Sequence, residues 1–293
     1  MAATARVQVP RLANDLLWVA RHTAAGIRAG LHRTAAQGGA VEFSHLRPYR
    51  PGDDLKHIDW KGSARTSRLL TRVFTRSATH EALLVLDGSL SMAWGEKPAL
   101  LRTAAAVLAT LLLEQGDAAG WLLVTPEGHR RLYPVRGGAF HLSGLVAGLA
   151  RLELQGTAET AQLLHTAGQL RQRRSTIMVF SDFYDDEAMR PGLRQLAARG
   201  HDVVAVHLLT DGERTLPETG AAEYVDAETG QRITLESRRV RSAVARRIEA
   251  WRVALERDLR RAGIDYVQLP RLTTLARDLE GFLRRREARE AGA

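Results

Sequence analysis

The sequence predicts an α/β fold: a doubly wound, mainly parallel sheet with helices on both faces, plus a small N-terminal α+β module. Three observations carry that reading. The apolar runs Ala82-Leu83-Leu84-Val85-Leu86 and Ile177-Met178-Val179-Phe180-Ser181 read as buried strands. From residue 82 onward such runs alternate with stretches of helical periodicity, the pattern of strand–helix–strand units. The segment from Phe43 to Arg76 has a different character, with a Pro51-Gly52 turn followed by two carboxylates.

The elements follow in order. Asn14 to His32 reads as an amphipathic helix, with Leu16, Leu17, Val19, Ala20, Ile27 and Leu31 on its apolar side and Asn14 as its cap; Gly26 and Gly30 weaken the later turns. Gln37-Gly38-Gly39 breaks the pattern. Asp53 or Asp54 can cap a short helix through Asp59-Trp60 to Ala64-Arg65, and residues 69–76 alternate as a strand. Strand 82–87 leads to helix 98–115, and strands near 120–125 and 130–135 form a hairpin around Pro126-Glu127-Gly128. Helices near 140–152 and 159–173, strand 176–181, helix 186–199 and strand 202–209 come next. An irregular stretch with short strands near 223–226 and 231–235 precedes a long basic helix at 238–262, strand 264–268 and a closing helix from Leu272. This gives a helical segment 1–38, a module 39–80 expected to pack on the main domain, a main α/β domain 81–285, and a tail 286–293 expected to fray.

Composition narrows the function. Of 293 residues 45% are hydrophobic, enough for a sizeable core. There is no cysteine, which excludes disulfides, zinc–thiolate sites and thiol nucleophiles. The uncharged stretch from Thr103 to Leu113 is bounded by Arg102 and Glu114, short of the roughly 17–25 residues that span a bilayer. With no signal-peptide pattern at the start, a cytoplasmic location is expected. The net charge is +9, almost all of it from arginine; only Lys56, Lys61 and Lys97 are lysines. Nucleic acid or an anionic membrane surface is the partner such charge first brings to mind. The arginines are scattered among Glu and Asp, however, and no aromatic-rich basic strand is present, which argues against nucleic acid.

Catalytic patterns are thin. Ten histidines form no His-x-x-x-His pair, position 91 breaks a Gly-x-Ser-x-Gly elbow, and no Gly-x-x-x-x-Gly-Lys loop occurs, so no ATPase activity is expected. The strongest chemical signal is Asp87-Gly88-Ser89-Leu90-Ser91, directly after the first apolar strand. Ligands bind at the carboxyl edge of open α/β sheets, and three oxygen side chains there suit a hard cation such as Mg²⁺. Thr157 in a loop and Asp182 after the second apolar strand add donors at comparable places. Each piece alone also reads as a helix cap or a turn.

Asp-x-Ser-x-Ser, a loop Thr and a strand-end Asp together resemble the metal-ion-dependent adhesion site of von Willebrand factor A domains. The resemblance implies a von Willebrand A-like fold, direct coordination of Mg²⁺ or Mn²⁺ by Ser89 and Ser91, and a contribution from Thr157 directly or through water. Asp87 and Asp182 would act mainly through water, leaving one position open for a partner's carboxylate. Ala158-Glu159 stands where many relatives carry an Asp after the Thr.

Leu46-Arg47-Pro48-Tyr49-Arg50-Pro51-Gly52-Asp53-Asp54, then Ile58-Asp59-Trp60 and Ser63-Ala64-Arg65, resemble the signature of the bacterial domain-of-unknown-function family fifty-eight. That resemblance implies a von Willebrand A-like domain after the signature and partnership with MoxR-type AAA+ ATPases and other von Willebrand A proteins. Within the signature, Arg47 could pair with Asp53, Asp54 or Asp59, and Trp60 is expected to fill a core gap; Arg65 could serve either pairing or an acidic partner surface. The reading is a non-enzymatic, metal-dependent adaptor that grips an acidic residue of a partner. Its alternatives are a metal-dependent hydrolase and a nucleic-acid or anionic-membrane binder.

Overall fold

The computed structural model describes residues 5–34, 43–49, 58–66, 69–74, 80–124, 130–154, 160–171, 173–214, 221–225 and 231–291. The chain divides into two compact units, Met1–Leu31 with His80–Ala293, and His32–Thr79.

Helix α1 spans Ala5–Thr34, longer than the 14–32 expected, so Asn14 lies inside it. The smaller unit pairs strands β1 (Phe43–Pro48) and β2 (Leu70–Phe74) antiparallel, beside helix α2 (Trp60–Thr66). Its signature residues fasten this hairpin. Ile58 bridges Thr71, and both are buried. The Ser63 hydroxyl accepts from the Leu70 N–H at 2.9 Å, and the Asp59 N–H donates to the Leu70 carbonyl at 2.9 Å. Trp60 departs from expectation: it is 65% exposed. Ile58 and Ser63 take the interior positions, and the indole at the start of α2 is left outside.

In the larger unit the elements are β3 (Glu81–Leu86), α3 (Lys97–Glu114), β4 (Ala118–Val124), β5 (Arg130–Arg136), α4 (Ala139–Ala150), α5 (Thr160–Leu170), β6 (Thr176–Ser181), α6 (Asp186–Ala198), β7 (Asp202–His207), α7 (Asp211–Arg214), β8 (Ala221–Val225), β9 (Arg232–Glu236), α8 (Ser237–Arg261), β10 (Asp265–Gln268) and α9 (Leu275–Ala291). Six strands form one sheet in the order β10-β7-β6-β3-β4-β5, parallel except for the edge strand β5. β8 and β9 form a separate antiparallel hairpin.

Strand alternation sends side chains to two cores. Leu84, Leu86, Met178, Phe180, Val204 and Val206 meet α1, α3, α4 and α9 on one face. Leu83, Val85, Ile177, Val179, Val203 and Ala205 meet α5, α6 and α8 on the other. Both faces are therefore covered, which is why these strands read as continuous apolar runs. Each fully buried Leu or Val contributes about 1.5–3 kcal/mol. In β4, a Cβ on Gly120 would lie 2.5 Å from the Tyr133 carbonyl oxygen, so only glycine admits the close approach of β5.

As far as residue 291 the stretch expected to fray is helical. α9 runs to Ala291. Arg286 pairs with Asp202 and Asp265, and Arg289 donates to Asp265 at 2.5 and 2.8 Å. No helix of the described residues is long and apolar enough to cross a membrane.

Candidate functional site

The order of strands reverses between β3 and β6: the chain leaves β3 toward β4 and β5, and leaves β6 toward β7 and β10. Such a switch point opens a crevice at the carboxyl edge of an open sheet. Asp87 follows β3 and Asp182 follows β6, so the crevice lies between them. The Asp87 N–H donates to the Phe180 carbonyl at 3.0 Å, extending the pairing to the strand ends.

Asp87 is buried and held from two sides. Its Oδ1 accepts from the Ser89 N–H at 2.9 Å and its Oδ2 from the Ser181 hydroxyl at 2.6 Å. The hydroxyls of Ser89 and Ser91 lie 2.9 Å apart and share a hydrogen bond. Burial raises the Asp87 pKa, repulsion from Asp182 raises it further, and the bonds from Ser181 and Ser89 oppose both. Among the described residues no cation pairs with Asp87.

The capping alternatives do not hold here. Ser91 lies inside the 3₁₀ turn Leu90–Ala93, and the cap position of α3 is Glu96. The cap of α6 is Asp185, which makes no side-chain cap bond, while Asp182 Oδ1 accepts from the Tyr184 N–H at 3.3 Å. Between them Phe183 has φ 54°, the one non-glycine residue with positive φ among those described. A buried aromatic in that region is held there by its surroundings, and such strain gathers at functional sites. The Phe183 N–H donates to the Ser181 hydroxyl at 3.0 Å, which fixes the turn.

A residue the sequence reading passed over sits at the centre. Lys97 opens α3 and is 0% exposed. Its ammonium donates to Asp182 Oδ2 at 2.7 Å and to the Ser91 carbonyl at 3.1 Å, pairs with Glu213 of α7, and stands 5.2 Å from the centre of the Tyr184 ring. Glu213 also accepts from the Thr210 N–H at 2.9 Å and from the Tyr184 hydroxyl at 3.2 Å. Partial desolvation and then the carboxylates of Glu213 and Asp182 push the Tyr184 phenol above its ordinary range, so it stays a neutral donor. The available signal was compositional: Lys97 is one of three lysines in a chain with 42 basic residues. Around the site three large apolar side chains are exposed: Trp94 (51%), Tyr184 (49%) and Leu272 (40%).

Of the expected site residues, Asp87, Ser89, Ser91 and Asp182 are brought together; Thr157 lies outside the described residues. In the smaller unit Arg47 is on β1 opposite Thr71, Asp59 precedes α2, and Arg65 lies exposed on α2. Asp53 and Asp54 lie outside the described residues. Among the described residues no group of three His, Cys, Asp or Glu side chains is arranged to hold a metal ion; the donors beside Asp87 are hydroxyls, and Asp182 and Glu213 are turned toward Lys97.

An α/β domain with an oxygen-rich crevice at its switch point and the signature hairpin of the smaller unit define the class of protein. The chain belongs to the DUF58 family (protein of unknown function DUF58), whose model matches residues 45–254. It is 30% identical over 254 residues to an uncharacterized protein of Mycobacterium tuberculosis, covering 83% of this chain and 79% of that one. It is 31% identical over 105 residues to the uncharacterized protein YeaD of Bacillus subtilis, covering 36% of this chain and 25% of that one. Among solved structures it is similar to BatB from Bacteroides thetaiotaomicron, with a TM-score of 0.45 at 13% identity, covering 70% of this chain and 97% of that one.

Proposed function

We propose that this protein is a non-enzymatic, von Willebrand A-like adaptor that binds an acidic residue of a partner at the carboxyl edge of its sheet, in a metal-dependent manner. The observation that carries the reading is the meeting of a buried Asp87, without a cationic partner among the described residues, with the paired hydroxyls of Ser89 and Ser91. Three carboxylates, Asp87, Asp182 and Glu213, stand near one ammonium, so the crevice retains a deficit of positive charge. Hard oxygen donors and that deficit fit Mg²⁺ or Mn²⁺ on the Asp87 side.

Asp87, Ser89 and Ser91 would hold the ion, together with Thr157. When bound, the ion supplies a Lewis-acidic position for a partner's carboxylate. The chain's own residues do the remaining work. Ser181 and the Ser89 N–H orient Asp87. Trp94, Tyr184 and Leu272 offer apolar contact to the surface carrying the acidic residue, the kind of aromatic anchoring that dominates protein interfaces. The net charge of +9 would speed the approach of an acidic partner. In keeping with the family resemblance, the partners proposed are a MoxR-type AAA+ ATPase and other von Willebrand A proteins, with the ATPase supplying the work of assembling or maturing a complex.

The test is recovery of a partner by affinity capture, followed by its affinity in Mg²⁺ and in EDTA. Tighter binding in Mg²⁺, lost in Ser91→Ala, is expected. Equal affinity in both conditions would refute the metal-dependent reading.

A further inference from the structure

Lys97 poses a problem that the adaptor reading leaves unanswered. A lysine at the first residue of a helix faces the positive end of the helix dipole, where anions are favoured. A fully buried ammonium also loses its hydration, a large cost unless carboxylates repay it. Lys97 meets both penalties and is 0% exposed. It touches three separate connections of the sheet edge: the Ser91 carbonyl after β3, Asp182 after β6, and Glu213 after β7. Two of them, the connections after β3 and β6, flank the switch point.

We infer that Lys97 is a built-in cation that keeps the three loops of the crevice assembled without metal, so that a divalent ion serves ligand binding and not the architecture of the site. The inference rests on the crevice being a cation site, as proposed above. Its consequence is a division of labour: Asp182 and Glu213 belong to the ammonium, and Asp87 with the two hydroxyls remains for an ion. Removing the ammonium would leave the buried Asp182 and the partly buried Glu213 without their cation and open a second place for a divalent ion.

The experiment compares thermal unfolding of the full chain and of Lys97→Met, each in EDTA and in millimolar Mg²⁺ or Mn²⁺. The wild type is expected to fold and melt cooperatively in EDTA, with divalent ions adding only the increment that binding at Asp87 supplies. In EDTA, Lys97→Met should melt roughly 10 °C lower, as for breaking a buried ion pair in a domain of this size, and the divalent ions should raise it by at least half of that loss beyond the rise they give the wild type. A wild type that does not fold in EDTA would overturn the inference. So would a variant that melts with the wild type, or a loss that no ion recovers. If Lys97→Met does not fold, Lys97→Met/Glu213→Gln leaves a single uncompensated carboxylate, Asp182; a melting temperature that ions raise no more than they raise the wild type's would also overturn it. Titration of the wild type and of Asp87→Asn with Mn²⁺ reads the metal site by itself, so failure of the metal reading is distinguished from failure of the role given to Lys97.

Discussion

Acid sensitivity offers a sharp test of the packing behind the crevice. His207 closes β7 and is fully buried. Its Nδ1 lies 2.6 Å from the Tyr266 hydroxyl, and the rings of Phe183, Trp251 and Tyr266 meet it edge-on with centroids 5.5, 5.5 and 5.7 Å away. Burial first, then the charges of Arg252 and Lys97, push its pKa down to about 3. The folded ring is therefore neutral, while in the unfolded chain it takes up a proton near pH 6.5. Below pH 6.5 the unfolded state binds the extra proton, so stability falls as pH falls, by up to about 1.4 kcal/mol per pH unit until the folded ring also titrates. From pH 6.5 to 4 the loss due to His207 is roughly 3 kcal/mol. Asp87, whose pKa is raised, acts in the opposite sense: above its ordinary value the fold is the better proton binder, so its contribution falls as pH rises. A difference between two chains that share Asp87 cancels that part. Urea unfolding of the wild type and of His207→Gln at pH 4, 5, 6 and 7 isolates the histidine. The variant should start less stable at pH 7, having lost a packed ring, but lose less on acidification. The stability gap should narrow by about 3 kcal/mol between pH 7 and 4. Parallel curves would refute the reasoning.

Further outcomes follow from single contacts. Gly148→Ala places a Cβ 2.7 Å from Trp121 Cζ2 and should cost about 1–3 kcal/mol as α4 backs away from β4; an unchanged urea midpoint would contradict the packing. Asp87→Asn removes a charge that is both desolvated and repelled by Asp182, so it should raise the melting temperature in EDTA while abolishing Mn²⁺ binding by calorimetry. A lower melting temperature would mean that the charge is better compensated than described. Trp94→Ala should shift melting by no more than about 2 °C, as for an exposed side chain, yet weaken capture of the partner; undiminished capture would remove Trp94 from the proposed interface.

What the sequence revealed, it revealed through local pattern. Asp87, Ser89, Ser91 and Asp182 could be placed because each follows an uninterrupted apolar run, and such runs mark strands buried on both faces. The antiparallel edge strand β5 is legible from the turn residues Pro126-Glu127-Gly128 before it, whereas β8 and β9 read only as two short strands and their pairing does not show. Lys97 was not legible because its partners lie far along the chain; Asp182 is 85 residues away, and a lysine beside Pro98 ordinarily reads as a solvated helix start. β1 was missed because Phe43–Pro48 mixes His45, Arg47 and Pro48 into a strand with no apolar alternation. Trp60 runs against its residue type, because the module buries the smaller Ile58 and Ser63 instead. The ordered tail escaped notice because arginines near a C-terminus look solvent-bound until Asp202 and Asp265 are placed opposite them.

Helix α1 belongs to the same unit as β3, although residues 32–79 separate them in sequence. Its Ala20, Ala24, Ile27 and Leu31 enter the core, Arg28 pairs with Glu114 at 2.8 Å, and Arg284 donates to the Gly30 carbonyl at 3.1 Å. The family signature is thus an excursion that departs from one body and returns to it. A protease that nicks the excursion once would not shed the N-terminal piece, because that piece remains seated by its own apolar face. The nicked protein should travel as a two-chain species through gel filtration and fall apart only in denaturant, and the two halves expressed separately should find one another. Removing the signature cleanly requires two cuts and a short splice joining α1 to β3, not a truncation from the amino end.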